Sequence, residues 1–373
     1  MTAPLSRSIN RSAAPRLAVA AGLAALVFGP GAAWVTAQTL PGSAVVGYHE
    51  TVCPGGSDTD VSVPFHRPAA FVGAVETIRK LATPDRWEIG VAGGPGWTAD
   101  VFAESHYARM KDGAAAGAIL PVKTNAAGEI TVAWPDLAGP LRSAAGDALE
   151  IIPFWTLATL LPPATQTALH PSTGMLSSQR GSELLLFNAA RDGIEQAPEA
   201  VYFVTAAGWF ATGPDFPSAN DVIVPPNTGF IVRHQAGAAP TVFRASLNVD
   251  RSPAGSLISA RQGHPRDTRV ALNRPLPTVL GDLVLNPAQF APSRNTAPND
   301  RKDELLLFDN AEAAQNKTPA ARFFRVGGHW RRVDPANAHP VADDTPLNAG
   351  AVLVIRKAPA RNDAELPWVQ PAN

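Results

Sequence analysis

The pentapeptide "ELLLF" occurs twice in the chain, at Glu183–Phe187 and at Glu304–Phe308, and it predicts a duplicated β fold. Successive side chains of a strand point to opposite faces of a sheet, so Leu184 and Leu185 face opposite ways. Apolar residues at every position therefore indicate a central strand that is buried on both faces. Two copies of such a strand predict two similar sheets.

A constant spacing of 121 residues continues beyond the pentapeptide. It matches Tyr202-Phe203 with Phe323-Phe324, Trp209 with Trp330, and Pro225, Asn227 and Gly229 with Pro346, Asn348 and Gly350. Short apolar runs separated by Gly and Pro read as strands, so each copy contains an aromatic strand, a Trp strand and a final strand. The final strands differ in that Ala351 stands where the first copy has Phe230.

A weaker match lies upstream and locates an insertion. "DVSVPFHRP" from Asp60 resembles "DTRVALNRP" from Asp267, which places Val63 against Val270. The distance from this motif to the pentapeptide is about 86 residues longer in the first copy. The extra residues contain strand-like runs such as "WEIGVA" and "EITVAW", so we predict a small inserted β domain.

The predicted fold is all-β, with a duplicated β-sandwich or barrel-like unit and an inserted small β domain. The predicted divisions are a signal peptide at 1–37, the first part of repeat unit 1 at 38–86, the inserted domain at 87–163, the remainder of unit 1 at 164–245, and repeat unit 2 with a C-terminal tail at 246–373.

The N-terminus has the pattern of an export signal. Three arginines and no acidic residue precede the apolar run "LAVAAGLAALVF", and "VTA" ends at Ala37. The apolar run is shorter than the roughly 20 residues that span a bilayer. We predict cleavage near Ala37 and a mature chain without a transmembrane segment, in the periplasm, at the cell surface or secreted.

The composition disfavours several classes of partner. Removing 37 of the 373 residues leaves 336, with 28 basic and 32 acidic side chains and a net charge of −4. No block of basic residues is present, so we predict no nucleic-acid binding. The single cysteine, Cys53, cannot form a disulfide within the chain and reads as a small buried residue.

The run "GDALEIIPFWTLATLLP" (Gly146–Pro162), together with "SVPFHRP" and "PPNTGF", resembles an uncharacterised family of exported verrucomicrobial proteins. Its members have a signal peptide, a Gly-Asp strand that leads into Pro-aromatic-Trp-Thr-Leu, and a Pro-Pro-Asn-Ser/Thr-Gly-Phe strand. The resemblance implies export and family membership, and no activity.

Motifs for catalysis or metal binding are missing from the sequence. No two of the eight histidines stand at a spacing of two or four residues, and no Gly-x-Ser-x-Gly elbow occurs. We predict no metal, no cofactor and no catalytic residue. Glycoside hydrolysis would need two facing carboxylates, for which the inserted unit offers Glu88, Asp100, Glu104, Asp147 and Glu150.

Tryptophans near turns are the binding candidates. Trp97, Trp209 and Trp330 are placed to stack on a sugar, and the alternative for each ring is to fill a core. We predict an exported, non-catalytic structural or interaction protein that contacts a glycan or an extracellular protein at the cell surface. The alternative is an extracellular carbohydrate-active enzyme with paired carboxylates in a cleft between the inserted unit and the duplicated core.

Overall fold

The computed structural model describes residues 46–188, 191–248, 252–274 and 276–370, and within these ranges the protein is all-β, as predicted. The predicted signal peptide lies outside the described residues. Across the described ranges, no helix has the length and apolar character needed to cross a bilayer.

The strands follow one another in four blocks. The first block is β1 (Val46–Cys53) and β2 (Asp58–Val61). The second is β3 (Phe71–Lys80), β4 (Arg86–Val91), β5 (His106–Met110), β6 (Ile119–Asn125), β7 (Glu129–Ala133) and β8 (Ala148–Pro153). The third is β9 (Trp155–Thr156), β10 (Ser182–Leu186), β11 (Ala200–Thr205), β12 (Gly208–Ala211), β13 (Ile223–Val224), β14 (Phe230–His234) and β15 (Thr241–Asn248). The fourth is β16 (Ala254–Ala260), β17 (Arg266–Ala271), β18 (Thr278–Val279), β19 (Glu304–Leu307), β20 (Ala321–Val326), β21 (His329–Arg332), β22 (Pro346–Leu347), β23 (Val352–Lys357) and β24 (Ala364–Gln370).

In the part of the chain that the structure describes, helical structure is confined to short connections. One α-helical turn, α1 (Leu157–Leu160), is capped by Thr156, whose hydroxyl accepts the backbone N–H of Thr159. The 3₁₀ turns are Asp136–Ala138, Ser177–Gln179, Leu280–Asp282, Pro298–Asp300 and Pro335–Asn337.

The first and third blocks together form repeat 1, and the fourth block forms repeat 2. The five-stranded sheets have the orders β12-β11-β10-β14-β2 and β21-β20-β19-β23-β17, which are the same arrangement. The remaining strands pair as β1-β15 and β9-β13 in repeat 1 and as β16-β24 and β18-β22 in repeat 2. Every strand of one repeat thus has a counterpart in the other, and the predicted duplication is confirmed.

The two "ELLLF" strands lie at the centre of their sheets, β10 between β11 and β14 and β19 between β20 and β23. Leu184 and Leu305 are fully buried in the cores of their repeats. Leu185 and Leu306 point to the opposite faces and are 2% exposed. The sequence therefore indicated correctly that both faces of this strand are buried.

The spacing between equivalent residues changes after the Trp strands. Trp209 and Trp330 each donate the backbone N–H to a side-chain oxygen, Asn220 Oδ1 at 3.0 Å and Asp343 Oδ1 at 2.7 Å. The two tryptophans are 121 residues apart, whereas the two acceptors are 123 residues apart. Repeat 2 therefore has two additional residues in this loop.

The predicted matches beyond that loop are wrong by two residues. Asn227 corresponds to Gly350 rather than to Asn348, and the two residues share left-handed backbone with φ of 59° and 64°. Glycine and asparagine are the residues that adopt this conformation most readily, so a change between them preserves the turn. The apparent Pro-x-Asn-x-Gly match is a coincidence of sequence.

The upstream match is shifted in the same way. Val61 lies opposite Phe230 in the sheet, and Val270 lies opposite Leu353. The matches of Val63 with Val270 and of Phe230 with Ala351 are therefore wrong. Large apolar residues, Phe230 and Leu353, occupy the equivalent buried positions.

Strands β3 to β8 close into a six-stranded barrel in the order β3-β4-β7-β6-β5-β8. Fully buried side chains such as Ile89, Leu120 and Ile130 form its core. The runs "WEIGVA" and "EITVAW" form β4 and β7. The first barrel strand begins at Phe71, before the predicted boundary at residue 87, because β3 pairs with both β4 and β8.

The barrel is inserted between β2 and β9, and its two connections lie side by side. Arg67 donates to the backbone carbonyl of Phe154 at 3.1 Å, and Trp155 Nε1 donates to the carbonyl of Phe65 at 3.3 Å. The run "IIPFWTL" leaves the barrel, forms β9 and begins α1. An inserted domain requires that its two ends lie close together. The two hydrogen bonds hold the connections of the barrel against each other where they meet repeat 1.

Candidate ligand cavity between the repeats

The three predicted binding tryptophans lie in three separate places. Trp209 has no solvent exposure in the core of repeat 1, and its Nε1 donates to the carbonyl of Leu161 at 2.9 Å. Trp330 is 2% exposed in the core of repeat 2. Trp97 is partly buried on the barrel between Phe71 and Phe102, with ring centroids 4.9 and 5.1 Å away. Since the rings of Trp209 and Trp330 fill cores, neither presents a face to a sugar.

A cavity of about 500 Å³ is lined by matching residues of both repeats, and we call it the repeat cavity. Its apolar floor follows from the alternation within "ELLLF", because Leu185 and Phe187 face away from the core of repeat 1. The apolar lining consists of the matched pairs Leu185 with Leu306, Phe187 with Phe308, Pro198 with Pro319 and Ile231 with Val354. The floor, formed by Leu185 and Leu306, is buried, and the rim, which includes Ala197 and Thr318, is exposed.

An aspartate and an arginine pair in each half of the cavity. Asp58 on β2 accepts two hydrogen bonds of 2.7 Å from Arg233 on β14. Asp267 on β17 accepts two of 2.8 and 2.9 Å from Arg356 on β23. These are bidentate pairs, the geometry in which arginine binds carboxylates most strongly. They fix the positions of both guanidinium groups at the cavity wall.

The loops after the "ELLLF" strands cross from one repeat to the other. The backbone N–H of Asp58 donates to the carbonyl of Ala314 at 2.9 Å, and that of Asp267 donates to the carbonyl of Gly193 at 3.0 Å. These contacts are equivalent, as in the interface of a symmetric dimer. They also satisfy backbone groups of β2 and β17, the edge strands of the two sheets.

The charged residues of the cavity wall are less symmetric than the residues of its apolar floor. Where repeat 1 has Asp60, repeat 2 has Arg269, and these two side chains form an ion pair across the cavity. The guanidinium of Arg269 also lies 4.3 Å from the ring centroid of Phe187. Gln196 in repeat 1 corresponds to Lys317 in repeat 2, which adds a further cation on that side.

Arg322 adds another cation on the side of repeat 2. It lies opposite Leu306 in the β19-β20 ladder, whereas the counterpart Val201 lies opposite Leu185. Arg322 is exposed and forms no ion pair with any residue that the structure describes. Lys317 is half-buried and donates to the carbonyl of Asp309 at 2.8 Å, and its burial lowers its pKa.

The carboxylates considered for glycoside hydrolysis lie outside the repeat cavity, on the barrel. Glu88 pairs with Arg79, Glu104 pairs with Lys123, and Glu150 binds Arg109 at 2.6 Å and Lys111 at 2.5 Å. Asp100 and Asp147 accept backbone N–H groups of Asn125 and Ala144. Each of these carboxylates therefore takes part in a local ion pair or hydrogen bond on the barrel.

Two other groups with catalytic potential are buried. Ser182 Oγ lies 2.6 Å from His234 Nδ1, which is the contact of an activated serine, but neither residue has solvent exposure. Cys53 is also fully buried, and burial raises the pKa of its thiol, which disfavours the reactive thiolate. In the described part of the chain, no group of three or more His, Cys, Asp and Glu residues is arranged to hold a metal ion.

No protein-family model, curated protein or solved structure matches this chain. The cavity was not predicted from the sequence, although a signal for it is present. Strands β14 and β23 both have an arginine as their penultimate residue, Arg233 and Arg356, and β2 and β17 both have an aspartate at or next to their first residue, Asp58 and Asp267. The sequence does not show how the two sheets are placed, and it is this placement that brings the two aspartate–arginine pairs into one cavity.

Proposed function

We propose that the chain is an exported, non-catalytic interaction protein and that the repeat cavity is its ligand site. The observation that carries the proposal is the cavity itself, about 500 Å³ in volume and lined by an apolar floor with arginines at its wall. Small-molecule sites have this size and this combination of apolar surface with a few fixed polar groups.

The pairing of the acidic residues with arginines supports a binding role over catalysis. Asp58, Asp60 and Asp267 each form an ion pair with an arginine. A glycosidase needs one carboxylic acid that gives up a proton and a second carboxylate that attacks or activates water. Both carboxylate oxygens of Asp58 and of Asp267 accept hydrogen bonds from an arginine, so these pairs are better suited to shaping a site than to acid catalysis.

The proposal of export rests on the sequence of the first 37 residues and on the resemblance to exported verrucomicrobial proteins. Arginines, a short apolar run and a small-residue site occur in the order of a signal peptide. The periplasm, the cell surface and the medium are the destinations consistent with it. N-terminal sequencing of the exported protein tests this part, and a mature chain that starts at Thr2 contradicts it.

The binding role is tested by blocking the cavity rim. Ala197 and Thr318 are equivalent exposed rim residues, so Ala197→Trp and Thr318→Trp place a bulky ring at the opening from either side. Ala207→Trp, in the exposed β11-β12 turn, is the matched control. Glycan arrays, capture of extracellular proteins and a small-molecule panel are screened with the unaltered chain.

We expect binding of the selected ligand to be lost in both rim variants and kept in the control. A ligand that binds all three variants equally contradicts the assignment of the cavity. Release of shortened sugars from an arrayed glycan would support the carbohydrate-active enzyme instead.

A further inference from the structure

The side chains of the repeat cavity form two classes when equivalent positions are compared. The apolar pairs are nearly the same in both repeats, as with Leu185 and Leu306 or Ile231 and Val354. The charged positions differ, because repeat 1 has an acid, an amide and a valine where repeat 2 has Arg269, Lys317 and Arg322. The cavity is therefore apolar at its floor and electrically asymmetric at its wall.

Cationic side chains outnumber acidic ones by one in the lining of the cavity. The cavity is lined by five cationic side chains and four acidic ones. Three arginines are paired with three aspartates, and the fourth acid, Glu195, is 75% exposed and lies 3.7 Å from Arg356. The remaining cations are Lys317 and Arg322, both on the side of repeat 2.

The positions of these two cations favour an anionic group within the cavity. Arg322 shares its sheet face with Leu306, since residues opposite each other in a ladder point the same way. Lys317 has lost part of its hydration and donates to one backbone carbonyl. Ammonium and guanidinium groups bind carboxylate, phosphate or sulfate oxygens through charge-assisted hydrogen bonds.

We propose that the repeat cavity binds an amphiphilic anion, whose apolar body lies on the leucine floor and whose carboxylate, phosphate or sulfate contacts Lys317 and Arg322. This inference rests on the proposed function, because it names the ligand class of the same cavity. It adds that the charged head points toward repeat 2.

The test compares ligands that share one chain and differ in the head group. Decanoate, decyl phosphate, decanol and decyltrimethylammonium are titrated into the full chain below their micelle concentrations, by calorimetry. We expect the two anions to bind at least about tenfold more tightly than decanol, since a hydrogen bond to a charged group strengthens binding by about that factor or more. Comparing decanoate with decyl phosphate distinguishes carboxylate from phosphate as the natural head group.

Substitutions taken from the other repeat then locate the head group. Lys317→Gln and Arg322→Val install the residues found at the equivalent positions, Gln196 and Val201. Each is expected to weaken the anions about tenfold and to leave decanol unchanged. Lys302→Gln, an exposed lysine outside the cavity lining, is the control.

Each result has one meaning. Equal binding of all four probes, or anion binding that neither Lys317→Gln nor Arg322→Val weakens, overturns the amphiphilic anion and leaves the cavity as a ligand site. Failure of every probe to bind overturns it as well. Anion binding that survives in Ala197→Trp and Thr318→Trp contradicts both the inference and the proposed function. Unfolding curves of the variants confirm that a loss of binding is not a loss of fold.

Discussion

The two repeats bury a polar pair at the same point of the fold but with different chemistry. In repeat 1, Ser182 at the start of the central strand contacts His234 at the end of β14, with 2.6 Å between Oγ and Nδ1. In repeat 2, Asp303 and Lys357 take these positions and form a buried ion pair. One repeat thus uses a neutral hydrogen bond where the other uses two charges.

The surrounding contacts explain why both solutions are tolerated. Thr241 donates its hydroxyl hydrogen to the carbonyl of Ala168 at 2.7 Å, so it accepts the Nε2–H of His234 at 2.8 Å. Lys357 is longer and donates directly to the carbonyl of Gln289, the counterpart of Ala168, at 3.1 Å. The fold requires that every buried polar atom here has a partner, and it does not require a particular pair.

The largest effect is expected from leaving one charge of the pair alone. Lys357→Ala removes the partner of Asp303, which is 1% exposed, and breaking a buried ion pair typically costs about 3–5 kcal/mol. His234→Ala leaves only neutral groups unpaired and should cost less. Urea unfolding of both variants measures the difference, and equal losses would show that the charge of Asp303 is compensated by other groups.

An exchange of the pairs sharpens the comparison. Asp303→Ser combined with Lys357→His installs the pair of repeat 1 in repeat 2. Adding Ala364→Thr places a threonine at the first residue of β24, as Thr241 is the first residue of β15 in repeat 1. We expect the triple variant to recover most of the stability lost in Lys357→Ala. If it is no more stable than the single variant, the two pairs are not interchangeable.

The next effect separates the two faces of the "ELLLF" strands. Leu184→Ala leaves a cavity in the closed core of repeat 1. Truncating a buried leucine to alanine typically lowers the free energy of unfolding by about 2–5 kcal/mol. Leu185→Ala should fall at the lower end of that range, because its side chain already borders the repeat cavity. Leu305→Ala and Leu306→Ala repeat the measurement in the second sheet. Equal losses on the two faces would contradict an open cavity beside Leu185.

The repeated sequence allowed the duplication and the insertion to be predicted, because a repeated apolar segment and a change in spacing can be read directly from the order of residues. It misplaced the equivalence of Asn227, because two added residues in a loop leave no mark until sheet register is known. The roles of Trp209 and Trp330 could not be decided, since a ring beside a turn has the same sequence whether it faces water or the core. The cavity depends on contacts between residues such as Asp58 and Ala314, which lie 256 positions apart.

A pH effect is expected in repeat 1 at the buried histidine. Burial, with a smaller contribution from the neighbouring His170, lowers the pKa of His234 from 6.5 to about 4. The unfolded chain therefore binds a proton first as the pH falls. The stabilisation is complete above about pH 6.5 and is lost progressively down to about pH 4, by at most about 3 kcal/mol.

Replacing the neutral pair isolates this contribution from those of other buried histidines. Ser182→Asp with His234→Lys installs the pair of repeat 2, which removes the imidazole. We expect the free energy of unfolding of this variant to decline less between pH 6.5 and pH 4 than that of the unaltered chain. Parallel pH profiles of the two proteins would show that His234 is not responsible for the decline.

The smallest effect concerns the left-handed turn that Asn227 and Gly350 share. Backbone conformation permits either residue at both positions, so any difference must come from the contacts of the side chain. A Cβ atom at Gly350 would lie 2.8 Å from Ser62 Oγ and 3.1 Å from His49, and such overpacking costs about 1–3 kcal/mol. Gly350→Asn should therefore be destabilising, whereas Asn227→Gly loses one hydrogen bond to the carbonyl of Gly255, worth about 1 kcal/mol. Urea unfolding of both variants decides the matter, since equal and negligible losses would mean that the repeats are interchangeable at this turn.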